Sequence, residues 1–220
     1  MDSIECIKTR MSIRKFIDQE VPRKVIEQAF DAARWSPSYK NSQPWEVVVV
    51  SGERKKALST LLLDLYDQGT PESPDLEEPA QWPTAEDRRI AHLYRMRAEA
   101  TGMDLRDPKV IAMAKKANFR FYGAPHVVYL FQEKALSLWS LFDIGLFAQS
   151  FMLAAHDLGL GTVPQAFVTD YAAQVKEFLG ISEDRRLILG ISLGYPDMDA
   201  PANRLRTDRM DVAEFVSWER

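Results

Sequence analysis

The chain has 220 residues, 27% of them charged, and a formal net charge of −4. This length allows one substantial hydrophobic core, and the mildly acidic balance argues against a broad nucleic-acid surface, since such surfaces are strongly basic. Cys6 is the only cysteine, which excludes an intramolecular disulfide, a cysteine zinc site and a thiolate-held iron–sulfur cluster. The histidines are widely separated in the sequence, so we expect no metal site.

The sequence indicates neither a secretory signal nor a membrane span. Its first ten residues, MDSIECIKTR, lack the apolar core of a signal peptide. A membrane helix needs about 20 mostly apolar residues, whereas the longest apolar stretch, residues 141–155, is interrupted by Asp143, Gln149 and Ser150. We therefore expect a cytoplasmic protein without a membrane or nucleic-acid partner.

Near the start of the chain, the stretch TRMSIRKF (residues 9–16) places Arg10, Ser12 and Arg14 at alternate positions. In an extended segment these three side chains project from one face, with Met11 and Ile13 on the other. Two guanidiniums and a hydroxyl that meet at one point suit a phosphate, because each guanidinium is a rigid fork of donors. On spacing alone, a solvated basic patch explains the pattern slightly better.

The next segments predict a helix, a loop, a strand and a second helix. Residues 22–35 favour a helix, because Pro22 suits an early helical position and apolar residues recur at helical spacing. The stretch SPSYKNSQPW (36–45) has two prolines and several turn formers, which is typical of a loop. Residues 45–52 (WEVVVVSG) predict a strand buried on both faces because of the unbroken valine run, and a helix follows over about 53–66.

Residues 67–117 are predicted to form a lid. Residues 67–88 are rich in proline and acidic side chains and are expected to be irregular and exposed, and polar helices follow over about 84–101 and 108–121. Such a long insertion in a compact domain is usually either a functional lid or disordered. The sequence assigns no role to three polar or charged residues of this lid, Glu86, Tyr94 and Arg97.

The second half of the chain predicts strands or extended segments over 124–131, 161–167 and 187–196, and helices over 137–158 and 169–180. The tail from residue 197 has little periodicity. Strands separated by helices within one domain indicate a mixed α/β layered fold. The helix over 137–158 is apolar on most sides and must be buried in a core or between subunits. We therefore expect a homodimer in which the tails wrap the partner.

Sequence motifs exclude several enzyme classes and indicate another. The sequence lacks GxSxG, HExxH and a Walker A loop. GLGTVP (159–164) has two glycines of a dinucleotide loop, but it follows a helix and carries proline in place of the third glycine. Four segments, in this order and at this spacing, closely resemble the FMN-dependent nitroreductase family. They are TRMSIRKF (9–16), SPSYKNSQPW (36–45), GLGTVPQAF (159–167) with LGYP (193–196), and NRLRTDR (203–209). The stretch NFRFYGAPHVVYLF also resembles the family, so the resemblance covers nearly the whole chain.

That resemblance implies a fold and an assembly. The fold class is α/β (α+β), with a layered structure in which helices flank a mixed, mostly antiparallel central sheet. The assembly is an intertwined homodimer. We therefore expect residues 1–220 to form a single nitroreductase domain that contains the lid, residues 67–117.

The resemblance also implies where FMN binds. Arg10, Ser12 and Arg14 match the family residues that hold the FMN phosphate and ribityl chain, which explains their alternate spacing. In the tail, Arg206 and Arg209 match basic positions that return to the phosphate, and Arg204 is a nearby alternative to them. A loop that approaches the flavin from the neighbouring subunit matches Pro37, Ser38, Tyr39 and Asn41, and Gln43 is expected to fix that loop. Pro164, Gln165 and Ala166 match the segment that lies along the isoalloxazine ring. In that segment, the group expected to act on the flavin is a backbone N–H near N5.

Arg120 matches a basic position near the pyrimidine edge of the flavin, where a positive charge stabilises the anionic reduced cofactor. The alternative is an arginine favoured at a helix C-terminus by the helix dipole. In one departure from the family pattern, Gln165, Ala166 and Phe167 are uncharged, whereas some members carry an acidic residue just after the VP element. The preference between NADH and NADPH therefore stays open.

The function that the resemblance implies is that of an FMN-dependent NAD(P)H oxidoreductase. It would reduce nitroaromatic or quinone-type acceptors by ping-pong hydride transfer, without a catalytic side chain, because flavin N5 carries the chemistry. Two alternatives remain open: a reductive dehalogenase of the same superfamily, with a lid adapted to halotyrosine-like substrates, and a non-catalytic flavin-binding dimer. A flavin-fragmenting, oxygen-dependent enzyme ranks lower.

Overall fold

A four-stranded antiparallel sheet forms the centre of the computed structural model, which describes residues 1–104 and 106–219. The spatial order of the strands is β1-β2-β4-β3, and each neighbouring pair is antiparallel. The strands are β1 (Glu46–Ser51), β2 (His126–Glu133), β3 (Gly161–Gln165) and β4 (Arg185–Gly194). The predicted mixed α+β class is confirmed, and within these residues parallel pairing is limited to isolated bridges such as Ser12 with Thr162.

Helices cover both faces of this sheet. They are α1 (Ser3–Thr9), α2 (Arg23–Ala33), α3 (Gly52–Asp67), α4 (Thr84–Thr101), α5 (Pro108–Phe119), α6 (Trp139–Asp157) and α7 (Ala172–Leu179). The helices predicted from periodicity are confirmed, with ends that differ by a few residues. Helix α1 was not predicted; it begins after Asp2, whose carboxylate accepts hydrogen bonds from the backbone N–H groups of Ile4 and Glu5. No helix in the described part of the chain is long and apolar enough to cross a membrane.

Strand β2 lies between two hydrophobic cores. Val128 and Leu130 face the core formed with α2 and α6, in which the rings of Phe30 and Phe151 stack at 4.5 Å between centroids. The alternate residues Val127, Tyr129 and Phe131 face the second core, which α3 and α7 cover. Since successive strand side chains point to opposite faces, the fully buried β2 has apolar side chains on both.

One burial prediction is wrong for the chain as the structure describes it. Strand β1 pairs only with β2, so it is an edge strand, and Val49 is 39% exposed. Helix α6 buries one face in this protomer and exposes Trp139 and Phe142 on the other, so its predicted burial between subunits stays a prediction. The sequence shows that these residues are apolar, but their exposure depends on which elements pack beside them.

The tail beyond β4 is mostly irregular, as predicted, with short 3-10 turns at Pro201–Asn203 and Val212–Glu214. It returns to the start of the chain, where the Ile17 N–H donates to the Tyr195 carbonyl and the Asp197 N–H donates to the Lys15 carbonyl. This return brings the basic tail residues beside TRMSIRKF.

Candidate functional site

The segment 10–16 runs along the edge of β3. The Ile13 N–H donates to the Thr162 carbonyl at 2.9 Å, and Ile13 and Phe16 are buried. A Cβ on Gly161 would lie 2.7 Å from Cγ1 of Ile13, so only glycine permits this close approach. The predicted inward position of Ile13 is therefore confirmed. The close packing of Ile13 also explains why the second glycine position in GLGTVP, Gly161, carries no side chain.

Arginines from three distant parts of the chain line one cavity of about 480 Å³. The N-terminal segment, the lid helix α4 and the tail all contribute to it. Its charged and hydroxyl-bearing lining residues are Lys8, Arg10, Ser12, Arg14, Arg97, Arg206, Thr207 and Arg209. We call it the arginine cavity. The sequence predicted five of these residues, and Arg97 is the lid residue to which it gave no role.

The arginine cavity has the electrostatics of an anion site. The Nε and Nη1 atoms of Arg10 are buried without a hydrogen-bond partner among the described residues. Burial lowers the pKa of Arg10, and the charges of Arg209 and Arg206 lower it further. Burial, followed by the charge of Arg14, also lowers the pKa of Arg97. Buried charges are costly unless they are paired, and the lining includes no acidic side chain, so this donor set fits a phosphate.

Hydrogen bonds hold these arginines in place. Nη1 of Arg206 donates to the Thr9 carbonyl at 2.7 Å, which satisfies the C-terminal end of α1. Oδ1 of Asn203 accepts from the Arg14 N–H at 2.7 Å, and its Nδ2 donates to the carbonyls of Lys15 and Asp197. Sequence reasoning missed Asn203, because its role depends on contacts across nearly the whole chain.

The loop 37–43 lies apart from the arginine cavity and packs on α6. The Tyr39 N–H donates to the buried Asp143 carboxylate at 3.1 Å, and Oγ of Ser38 accepts from the Gln43 N–H at 3.0 Å. The Tyr39 ring is exposed and stacks on Trp139. Three residues of this loop have a positive φ: Lys40, Asn41 and Gln43, at 53°, 56° and 49°. None of the loop residues lines the arginine cavity, so Pro37, Ser38, Tyr39 and Asn41 present a separate surface.

Strand β3 ends with alternating exposed and buried residues. Pro164 and Ala166 are exposed. Gln165 is buried, its Nε2 donates to the backbone carbonyl and Oδ1 of Asn118, and its Oε1 accepts from Oγ of Ser192. The Gln165 side chain is therefore committed to the core, which leaves the backbone of this segment to meet a ligand.

Two other candidate arginines lie outside the arginine cavity. Arg120 is exposed at the C-terminal cap of α5, where the helix dipole favours a cation. Nη2 of Arg204 donates to the Asp199 carbonyl at 2.7 Å, and Arg204 lines an adjacent cavity of about 520 Å³ with His156 and Met198. Within residues 1–104 and 106–219, no group of three or more His, Cys, Asp and Glu side chains could hold a metal ion.

Comparison with known proteins identifies the family. The model described as "Nitroreductase family" matches residues 7–195. A 4-nitrobenzoate reductase from Pseudomonas putida is 34% identical over 220 residues, which covers 96% of this chain and 93% of the relative. Nitroreductase NfnB from Mycolicibacterium smegmatis is 34% identical over 216 residues, covering 97% of this chain and 91% of the relative. The chain belongs to the nitroreductase family, as its motifs predicted.

Solved structures agree with this family assignment. The FMN and NADPH-dependent nitroreductase NfnB from Sphigopyxis sp. strain HMH superposes with a TM-score of 0.96 at 28% identity, and the match covers 100% of both chains. The FMN-dependent nitroreductase NfnB from Mycobacterium smegmatis in complex with NADPH superposes with a TM-score of 0.94 at 32% identity, covering 99% of this chain and 98% of that one. The predicted nitroreductase-like fold is confirmed.

Proposed function

We propose that this protein is an FMN-dependent NAD(P)H oxidoreductase that reduces nitroaromatic or quinone-type acceptors. The observation that carries the proposal is the arginine cavity, where the Nε and Nη1 atoms of Arg10 are buried without a hydrogen-bond partner among the described residues, beside other guanidiniums. A phosphate dianion would supply the missing acceptors through charge-assisted hydrogen bonds. The names of the relatives, which include 4-nitrobenzoate reductase and FMN-dependent nitroreductases, support the same chemistry.

The residues present fit FMN. The phosphate would bind Arg10, Ser12 and Arg14 of the N-terminal segment, together with Arg206 and Arg209 of the tail. The backbone of residues 164–166 would lie along the ring system, because the exposed Pro164 and Ala166 leave this end of β3 accessible. Arg120 would stand near the pyrimidine edge.

Bound FMN would supply the redox chemistry, which is to take a hydride from NAD(P)H and then to reduce the second substrate in the same position. The protein binds and orients the planar reactants, which lowers the entropic part of the barrier. The guanidiniums would hold one end of the cofactor, and the backbone of residues 165 and 166 would contact the ring. No side chain is required as an acid or base in this scheme.

The same proposal includes a homodimer. Gly145 is exposed on α6, and a Cβ built there meets no atom within 4 Å. Glycine in a helix interior costs about 1 kcal/mol relative to alanine, and nothing within the protomer requires it there. Close approach of a second α6 would explain it and would cover the exposed Trp139 and Phe142. The loop 37–43 lies beside these residues and would then reach the partner's flavin.

We further propose that residues 1–220 form one domain with residues 67–117 as its lid. Helix α4, within this lid, supplies Leu93 and Arg97 to the arginine cavity, which supports a lid placed over the cofactor. We propose the cytoplasm as the place of reaction, because NAD(P)H is a cytoplasmic reductant.

The test starts with the absorbance spectrum of the purified protein. We expect a yellow protein with FMN, whose oxidation of NADPH or NADH accelerates when 4-nitrobenzoate or a quinone is added. A flavin-containing protein without acceptor-dependent turnover would support a binding protein instead. Turnover with a halotyrosine but not with nitroaromatics would support a reductive dehalogenase, and a colourless protein that takes up no FMN would refute the proposal.

A further inference from the structure

The lid helix α4 has little apolar packing to hold it in place. None of its residues between Thr84 and Thr101 is buried. Leu93 and Arg97, which are four residues apart and therefore on one face, turn toward the body of the protein and line the arginine cavity. A helix with so little buried apolar surface needs polar interactions to keep this position, because most helix stability in proteins comes from packing. On its outer side, Nε2 of His92 lies 2.9 Å from Oδ2 of Asp208 in the tail.

Arg97 differs from the other arginines of this helix. Arg89 pairs with Glu86, and Arg95 donates to Nδ1 of His92 at 3.4 Å, both near the outer surface. The guanidinium of Arg97 is half-buried and makes no hydrogen bond to any described residue, and its main charged neighbour is Arg14. An inward-facing cation next to another cation is unfavourable unless an anion lies between them.

We propose that Arg97 is a ligand of the cofactor phosphate, and that the phosphate thereby fixes the lid helix α4 against the body of the protein. This inference rests on the proposed FMN site and adds a residue from the lid to it. The phosphate monoester carries a charge close to −2 and three acceptor oxygens, so it can bind guanidiniums from the N-terminal segment, the tail and α4 together. Lid position and cofactor binding are then linked, and each stabilises the other.

The test compares Arg97→Ala with Arg97→Lys and with the control Arg95→Ala, which removes an exposed arginine from the same helix. The full-length proteins are stripped of flavin and titrated with FMN or with riboflavin, which lacks the phosphate, and binding is followed by quenching of flavin fluorescence. We expect Arg97→Ala to raise the Kd for FMN about tenfold or more and to leave the Kd for riboflavin unchanged. Arg97→Lys should recover part of the loss, and Arg95→Ala should bind like the wild type.

Limited proteolysis with thermolysin measures the exposure of the lid, because this protease cleaves beside apolar residues and α4 has several of them. Arg97→Ala and Arg95→Ala each add one alanine to α4, so each variant is compared with and without flavin. FMN should protect α4 in the wild type and in Arg95→Ala, but not in Arg97→Ala, and riboflavin should protect none of them. Wild-type FMN affinity and protection in Arg97→Ala would overturn the inference. So would an Arg97→Ala enzyme with normal FMN affinity whose kcat/KM falls for NADPH but not for NADH, because Arg97 would then bind the co-substrate.

Failure of the proposed function has a different signature. If the wild-type chain binds no flavin at all, the FMN proposal is wrong, and protection of α4 by inorganic phosphate then tests the role of Arg97 separately. Phosphate protection that is lost in Arg97→Ala would support a phosphate-held lid, and equal cleavage of both proteins would overturn it.

Discussion

Asn203 and Arg14 lie 189 residues apart in the chain, yet Oδ1 of Asn203 accepts a hydrogen bond from the Arg14 N–H at 2.7 Å. The Asn203 side chain is buried and also donates to two backbone carbonyls. One amide therefore joins the tail to the N-terminal segment directly beneath the arginine cavity.

Asn203→Ala should weaken both the fold and cofactor binding. The substitution removes three hydrogen bonds: the Arg14 N–H loses its acceptor, and the carbonyls of Lys15 and Asp197 each lose one of two donors. Each lost hydrogen bond costs about 1 kcal/mol. We expect the free energy of unfolding, measured by urea denaturation, to fall by about 2–4 kcal/mol, and the FMN affinity to fall with it. Arg204→Ala is the control, because Arg204 is exposed and its side chain bonds to the Asp199 carbonyl alone among the described residues. Equal stability of Asn203→Ala and the wild type would contradict this role.

Arg14→Ala should lose the cofactor. Removing one guanidinium from a charge-assisted phosphate site costs about 1.5–3 kcal/mol, which corresponds to an affinity about 10- to 160-fold weaker. Flavin content after purification, measured at low micromolar protein concentration, checks this expectation. Arg23→Ala, which removes an exposed arginine paired with Glu27, should keep its flavin. An Arg14→Ala protein with full flavin content would show that the phosphate binds elsewhere.

Gly145→Leu should weaken the dimer. The new side chain would project from the outer face of α6 into space that the proposed partner helix occupies. Light scattering after size exclusion should show a monomer, or a dimer that dissociates at micromolar concentration, and flavin content should fall because the loop 37–43 of the partner is lost. Ala57→Leu adds the same side chain at an exposed position of α3 and should remain dimeric. An unchanged dimer in Gly145→Leu would place the interface on another face.

Acid should destabilise the fold through His126. Nε2 of this buried histidine accepts from the Val21 N–H at 3.1 Å, and Nδ1 lies within hydrogen-bond distance of Oγ of Ser51. Burial lowers the pKa of His126, opposed in part by the charge of Glu20. The unfolded state therefore binds a proton more readily than the folded state does. The free energy of unfolding keeps its full value above the unfolded pKa of about 6.5 and decreases as the pH falls toward the lower pKa of the folded state.

Urea unfolding at pH 7.5 and pH 5.5 measures this dependence. His126→Gln keeps an acceptor for the Val21 N–H but does not titrate, so its free energy of unfolding should change less between the two pH values than that of the wild type. The prediction is contradicted if both proteins lose the same stability.

The sequence was most informative where structure is local. The apolar spacing in α2 and the turn residues of 36–45 depend on near neighbours, and the predicted elements are found there. The alternate spacing of Arg10, Ser12 and Arg14 was also local, and these residues do share one cavity.

The missed features depend on distant parts of the chain. Arg97 resembles any other arginine of a polar helix until α4 is placed beside Arg14, and Asn203 has no motif of its own. The exposure of Val49 likewise follows from the position of β1 at the edge of the sheet, which a valine run alone does not specify.

The exposed edge of β1 has a consequence for handling this protein. In the described chain, the outer side of this short valine-rich strand has no strand partner, and unpaired backbone groups on such an edge can template pairing with another chain. If a second copy or its tail normally shields the edge, conditions that separate the subunits or remove the cofactor would also promote aggregation. Loss of soluble material on dilution or storage would then report subunit dissociation before any loss of secondary structure.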